Sequence, residues 1–282
     1  MQRLPLFLVM ILAFGPLPGC SSDEPAPNIL LISMDTTRAD HLSVYGYEIG
    51  TSPFLEEFAA EGAVFRQVYA AAPATAPSHA TIFTSLSPLT HRVLKNAMVL
   101  DTEFETLAEI LADEGYQTAG IVSSFVLNRK FGLSQGFGYY DDDLDGGQAT
   151  VQTRRWEGET ITGKFDCPAD ATTDRAAAWL ENVRDPGRPF FLFVHFFDPH
   201  VPYRPPEEYR GHYKDPNIAD RVVRWETGNY NGEIAFTDDQ IRRLCTLLEE
   251  LGLAENTIVV ITGDHGEGLW QRGYQYHGAH IY

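Results

Sequence analysis

Basic residues are scarce in this chain: 21 Lys and Arg stand against 39 Asp and Glu, for a formal charge of -18. There is no basic stripe to neutralise a phosphate backbone, which excludes nucleic acid as the partner. An acidic protein that takes an anionic substrate needs a locally positive site, and a bound metal ion is the simplest way to make one. Cysteine is also rare, three in 282 residues, so no disulfide framework organises the fold. Long apolar runs are missing too. The run from Leu4 to Phe14 is too short to span a bilayer. Neither an internal repeat nor a low-complexity linker interrupts the remainder. What is there, 44% hydrophobic and 12% aromatic residues, suits a globular protein with a substantial core. The length allows one large α/β domain or two small ones.

Residues 1–20 read as targeting rather than structure. Arg3 gives a positive start, the apolar run comes next, and Leu17-Pro18-Gly19-Cys20 closes it. This looks like a bacterial lipoprotein signal with Cys20 as the lipidation site; plain secretion with cleavage nearby is the alternative. Residues 21–27 form a Pro-rich linker, and Ser21 in place of Asp points to the outer membrane. The expected location is therefore exported, in the bacterial cell envelope or periplasm, with membrane contact only through the lipid anchor. Cys167 and Cys245 remain. An exported compartment permits a disulfide between them, which the sequence does not decide. Cys245 lies on the apolar face of a predicted helix, which favours a buried free thiol.

Asn28 to Met34 is a continuous apolar run, the pattern of a strand covered on both faces, and it leads straight into Asp35. Open α/β sheets place ligand sites at such strand ends. A helix is predicted from Pro53 to Ala60 and a strand from Ala63 to Tyr69. Ala74-Thr75-Ala76-Pro77-Ser78-His79 then opens a helix, placing Thr75 at or just before its N-terminus. The hydroxyl there is either an N-cap or a nucleophile held where the helix dipole favours an anion. Further helices are predicted over 104–114, 169–183 and 230–251. Strands are predicted over 118–122, 190–195 and 257–262, the last two also buried. Residues 132–164 read as a long surface loop and candidate lid, with Asp141-Asp142-Asp143 as a solvated turn rather than a calcium site. Strands alternating with helices point to an α/β domain with a mainly parallel central sheet and helices on both faces.

Polar chemistry lies after three of these strands: Asp35, then His195 to His200, then Asp264-His265. Strand C-termini of one parallel sheet share an edge, so these groups can converge with Thr75. Asp35, Thr75, Asp264 and His265 make an O/O/O/N shell for one divalent metal. Zn²⁺ or Mn²⁺ suits it best, with Ca²⁺ the less favoured alternative. A metal against the Thr oxygen lowers its pKa and makes it a nucleophile near neutral pH.

From Asn28 to the last residue the chain resembles the sulfatase branch of the alkaline phosphatase superfamily. The resemblance is carried by Pro27 to Ile32 leading to Asp35, Arg38 to Tyr47, Ala76-Pro77-Ser78-His79-Ala80, His195 to Tyr203, Thr262 to Gly268, and His277-Gly278. It implies an alkaline-phosphatase-like fold and makes residues 28–282 a catalytic domain. Relatives continue into a smaller C-terminal subdomain, so the domain is expected to be incomplete, with that subdomain missing. Departures matter as much as matches. Thr75 holds the position of the family's formylglycine Cys, His79 that of its Arg, Thr36 replaces the second Asp after the first strand, and Val122-Ser123 stands for a Gly-Lys. These changes resemble the one-metal, Thr-nucleophile shell of bacterial phosphoethanolamine and phosphoglycerol transferases, where His195, His200 and His277 match substrate-side histidines. The resemblance implies Thr75, His200, His277 and His79 as catalytic residues and His195, His200 and His277 as substrate-binding. Arg92, Lys95 and Asn96 fall in a plausible rim without an assigned role. The expected function is metal-dependent hydrolysis of a small anionic ester of sulfate, phosphate or phosphonate through Thr75. The alternatives are a transferase of the phosphoethanolamine or phosphoglycerol type, and a non-catalytic, truncated surface lipoprotein.

Overall fold

The computed structural model describes residues 25–145, 151–156 and 159–278. In chain order the elements are β1 (Asn28–Met34), α1 (Pro53–Ala59), α2 (Thr75–Thr84), α3 (Pro88–His91), α4 (Leu107–Asp113), β2 (Gln117–Val122), β3 (Tyr139–Asp141), β4 (Gln152–Trp156), β5 (Glu159–Gly163), α5 (Ala169–Asn182), β6 (Phe190–Phe196), α6 (Arg221–Glu250) and β7 (Thr257–Gly263), with short 3₁₀ turns between them. The signal segment and Cys20 lie outside the described residues. No helix among the described residues is long and apolar enough to cross a membrane.

The sheet runs β3-β2-β6-β1-β7, every neighbouring pair parallel. Side chains alternate across a strand, and both faces are covered. Leu30, Ile32 and Met34 of β1, with Phe190, Leu192, Val194 and Phe196 of β6, pack under α5 and α6. Leu31, Phe191 and Phe193 point the other way, against Ala76, Ala80 and Phe83 of α2 and Ala108 of α4. Each fully buried Phe or Leu here is worth roughly 1.5–3 kcal/mol relative to exposure. The continuous apolar runs of β1 and β6 result from this sandwiching, since neither face meets water.

Register then places the chemistry. Ser33 pairs with His195, and Met34 pairs with both Phe196 and Gly263. Asp35 and Asp264 therefore leave the sheet side by side. Val122 also pairs with His195, which brings Ser123 to the same edge. Helix α4 is fixed by a capping box: Thr106 accepts from Glu109 N, and the Glu109 carboxylate accepts from Thr106 N.

Several local expectations change. Residues 63–69 form no strand; Phe65, Val68 and Tyr69 are 71%, 67% and 82% exposed. Their alternation is real, but no strand lies beside them to pair with among the described residues. The predicted loop over 132–164 contains β3, parallel to β2, and the antiparallel β4–β5 pair, whose turn-rich flanks hid them. Within it Asp141 and Asp142 pair with Arg175 and Arg129 at 2.8 Å and 2.7 Å, so two of the three acids are bound to arginines, while Asp143 is exposed and its carboxylate accepts from Asp145 N, as in a solvated turn. Helix α6 starts at Arg221, not at 230, because Asp220 caps it by accepting from Val222 N and Val223 N. Strand β7 is only partly covered: Val259 and Ile261 pack against the core as partly buried residues, while Ile258 and Val260 are 51% and 43% exposed. Its apolar run marks a strand, but not its place at the sheet edge. Cys167 and Cys245 are both buried and are not joined to each other, so the permitted disulfide is not formed.

Candidate active site

Thr75 is the first residue of α2, and Ala74, in extended conformation, is the cap. The N-cap reading of Thr75 is thereby corrected: its hydroxyl does not close the helix. It lies 3.4 Å from Asp35 Oδ2 and 3.4 Å from His265 Nε2, with the residue 2% exposed. Pro77 has no N–H to satisfy, Ala76 N donates to Asn96 Oδ1 at 2.9 Å, and Ser78 Oγ donates to Ala72 O. These contacts hold the Pro-broken loop and present the first helical turn, with its partial positive charge, to the site.

Asp35 is fully buried at the end of β1, its amide donating to Phe196 O at 2.9 Å. The chain then turns through Thr36, which has φ 54°, a left-handed value that costs a non-Gly residue of order 1 kcal/mol. The turn is over-determined by long-range contacts. Thr36 N donates to Asp264 Oδ1 at 3.1 Å, and the Tyr230 hydroxyl of α6 donates to Thr36 O while accepting from Arg38 N. Asp264 Oδ1 also accepts from His265 N.

The opposite oxygens are left bare. Asp35 Oδ1 and Asp264 Oδ2 are buried without a hydrogen-bond partner among the described residues. His265 Nδ1 donates to Gly266 O at 3.0 Å, so its Nε2 carries the lone pair. That nitrogen is 3.6 Å from Asp35 Oδ1 and 3.5 Å from Asp264 Oδ2. Donors bound tetrahedrally at about 2.1 Å from a Zn²⁺-sized ion lie about 3.4 Å apart. Two buried carboxylates and a bare imidazole lone pair aimed at one point, with the Thr75 hydroxyl beside them, fit a divalent cation and nothing neutral. Asp35, Asp264 and His265 form such a ligand group.

Beside this floor lie two more buried histidines. His79 donates from Nδ1 to Thr75 O at 2.8 Å and contacts Ser33 Oγ through Nε2 at 3.0 Å. Both nitrogens are committed and the residue is 0% exposed, so it steadies the turn that carries Thr75 and does not reach the cleft mouth. His195 on β6 is equally enclosed, its Nε2 3.5 Å from Asp35 Oδ2. Burial pushes His79 and His195 down to about 4 against the opposing pull of Asp264, so both are neutral at pH 7.

The mouth is built from the loops after β6 and β7. His200 packs on Phe197 with ring centroids 4.4 Å apart and donates from Nδ1 to Val201 O at 2.7 Å. Burial pushes it down to about 4. His277 stands 4.8 Å from the His200 ring and 4.7 Å from the His265 ring. Burial pulls His277 down, but the Glu267 carboxylate, 3.3 Å from its Nδ1, outweighs that and holds it above its ordinary value. Two histidines under 5 Å apart thus differ in charge preference, which is the arrangement acid–base chemistry needs.

Sequence reasoning missed Glu267, Ser33 and Ser123 as partners of histidines. Glu267 sat in view within Asp264-His265-Gly266-Glu267; the two serines had no local signal. Of the rim candidates, Arg92 turns outward to Glu103 at 3.2 Å, whereas Asn96 holds the helix start.

The sulfatase family model matches residues 27–281. Human iduronate 2-sulfatase is 25% identical over 325 residues, covering 93% of this chain and 58% of its own length. The Clostridium perfringens arylsulfatase is 26% identical, covering 90% and 66%. The Formosa agariphila ulvan-active sulfatase is 29% identical, covering 87% and 52%. The chain thus spans between about half and two thirds of the length of these relatives. Among solved structures, one bound to its substrate D-glucosamine-2-N,6-O-disulfate superposes with TM-score 0.72 at 21% identity, covering 89% of this chain and 67% of that one. The phosphonate monoester hydrolase of Agrobacterium radiobacter gives 0.69 at 21%, covering 89% and 64%. At that identity these structures establish the fold, an alkaline-phosphatase-like parallel sheet with helices.

Proposed function

The chain belongs to the sulfatase family, and we propose that its site hydrolyses small anionic esters with Thr75 as the nucleophile and one divalent metal, Zn²⁺ or Mn²⁺ before Ca²⁺. One observation carries the reading: the Thr75 hydroxyl stands 3.4 Å from both Asp35 Oδ2 and His265 Nε2 at the start of a helix. Asp35, Asp264 and His265 would hold the metal, with Thr75 Oγ1 beside them. A cation there supplies the charge that lowers the hydroxyl pKa and offsets the negative oxygens of the ester.

The chain's own groups then divide the work. Thr75 Oγ, its proton given up to solvent, bonds to the phosphorus or sulfur as the bond to the leaving alcohol breaks. His277, whose proton affinity Glu267 raises from the Nδ1 side, donates its Nε2 proton to the departing oxygen. A water then gives a proton back to that imidazole and attacks the Thr75 ester, breaking its bond to Thr75 Oγ and freeing the phosphate, phosphonate or sulfate. His200 lines the same mouth and orients the ester. His79 fixes the Thr75 turn. A threonine ester has no second hydroxyl to expel sulfate, so phosphate and phosphonate esters fit this nucleophile better than sulfate. An alcohol in place of water would make the protein a transferase.

Location is proposed on separate grounds. Ala26 O accepts from Asn256 and Pro27 O from Tyr116, at the end of the sheet where β7 and β2 begin. An anchor at Cys20 would therefore tether the domain from the end opposite Thr75. Cys20→Ala should move the protein from the membrane to the soluble fraction; retention in the membrane would overturn the anchor.

Hydrolysis of p-nitrophenyl phosphate, phenylphosphonate and sulfate esters with added Zn²⁺ or Mn²⁺ tests the enzyme. Thr75→Ala should lower kcat/KM by about 10³-fold or more, and mass spectrometry during turnover should find phosphate on Thr75. If wild type and Thr75→Ala are equally inert with metal bound, the enzyme reading fails and the non-catalytic one stands.

A further inference from the structure

His195 takes no part in the proposed hydrolysis, yet it is held more elaborately than packing requires. It is the one polar residue of β6, 0% exposed among four phenylalanines, Leu192 and Val194. A buried imidazole needs a partner on each nitrogen. Ser123 supplies the first. Its hydroxyl donates to the His195 carbonyl oxygen, which spends the only proton it has. Ser123 Oγ can then only accept from His195 Nδ1, 3.4 Å away. With the proton on Nδ1, Nε2 bears the lone pair.

That lone pair has no hydrogen-bond partner among the described residues, and it faces Asp35 Oδ2 at 3.5 Å. Two electron-rich atoms set against each other in a dry site repel unless a cation lies within reach of both. His195, His79 and Asp264 present ligand atoms within 4.8 Å of one another, and this group shares Asp264 with the separate group of Asp35, Asp264 and His265, so Asp264 links His195 to that centre. His79 drops out of that group. Its Nδ1–H donates to Thr75 O, and its Nε2 is occupied by Ser33.

We propose that His195, through Nε2, is a further ligand of the metal centre at Asp35, Asp264 and His265. The centre then offers two imidazoles, two carboxylates and the Thr75 hydroxyl. Ca²⁺ and Mg²⁺ prefer shells made entirely of oxygen, whereas imidazole suits Zn²⁺ and its first-row neighbours. The second imidazole thus selects a first-row transition ion. Ser123 acts as the positioning residue that fixes the ring tautomer. The inference rests on the metal centre of the proposed function, not on its chemistry.

The test uses the full chain, stripped with chelator and reloaded with Zn²⁺, Ca²⁺ or Co²⁺. His195→Ala should weaken Zn²⁺ about 10–100-fold in competition with a chromogenic chelator. It should leave Ca²⁺ affinity within about threefold and change the visible absorption of the Co²⁺ form. Ser123→Ala should weaken Zn²⁺ less and in the same direction. Melting of the metal-free proteins checks folding; if the alanine variant does not fold, His195→Gln keeps the volume and is read the same way. Zn²⁺ affinity within twofold of wild type, with an unchanged Co²⁺ spectrum, would overturn the assignment and leave His195 as a core residue beside Asp35. Wild type that binds Zn²⁺ tenfold better than His195→Ala yet hydrolyses nothing would support the ligand and sink the enzyme reading, so the two fail separately.

Discussion

At the floor of the site, Gly266 turns His265 and Ser123 turns His195 so that ring lone pairs face the carboxylates of Asp35 and Asp264. At the mouth, Glu267 sits at Nδ1 of His277 and raises that ring's hold on its proton. Floor and mouth use the same side chain for opposite purposes, and the partner of Nδ1 decides which. A carbonyl or hydroxyl that accepts from Nδ1 leaves a neutral ring with a bare Nε2, suited to a cation. A carboxylate at Nδ1 favours the doubly protonated ring, suited to a leaving group. Burial differs in step. The floor residues Asp35, Thr75, Asp264 and His265 are between 0% and 4% exposed, so charge there must be matched within the protein.

The sharpest way to break this contrast is at the floor. Asp264→Asn removes one charge, and its amide group can turn an N–H toward the point where His265 and Asp35 aim. Zn²⁺ affinity should drop about 100-fold or more by chelator competition, and turnover with it. At the mouth, Glu267→Gln should leave Zn²⁺ affinity within a fewfold but lower kcat for alkyl phosphates about 10²-fold. It should do far less for p-nitrophenyl phosphate, whose leaving group needs no acid. Equal losses on both substrates would mean that His277 is not the acid.

The pH dependence of that pair has a definite sign. The folded-state pKa of His277 is raised, so the stability from its pairing with Glu267 is fully present below the unfolded value of 6.5 and is lost as pH rises through the folded value. Activity that needs the protonated ring falls over the same window. In Glu267→Gln the alkaline fall of kcat should move to lower pH, and the wild-type loss of thermal stability across that window should flatten.

A smaller effect is expected beneath the mouth loop. Burial pushes Asp198 up to about 7 from 3.8; its bond from Ala169 N opposes this, and Asp166 and Asp170 add to it. A raised carboxyl pKa means that the group's contribution to stability is full below 3.8 and is lost as pH rises from there through 7. Asp198→Asn keeps an acceptor for Ala169 N but cannot ionise. Urea unfolding of the variant should lose less stability than wild type between pH 4 and 7, with activity at pH 7 little changed.

The sequence by itself determined the sheet and the set of groups at its edge. The continuous apolar runs Asn28 to Met34 and Phe190 to Phe196, bounded by turn signals, point to strands covered on both faces, and the residues just past the ends of parallel strands emerge together. Asp35, Thr75, Asp264 and His265 were therefore legible as a group, as was the α/β class. Hydrogen bonding among the histidines was not. The Ser33–His79 and Ser123–His195 contacts join residues 46 and 72 positions apart and depend on strand register and rotamer, which leave no periodic trace. Edge and centre were equally invisible: β7 reads like β1, yet Ile258 and Val260 stand half-exposed, because a β-branched run encodes extension and not the neighbours a strand will find. Only the folded structure decided which nitrogen of each histidine is bare, since the partner that claims the other nitrogen arrives from a distant strand or loop.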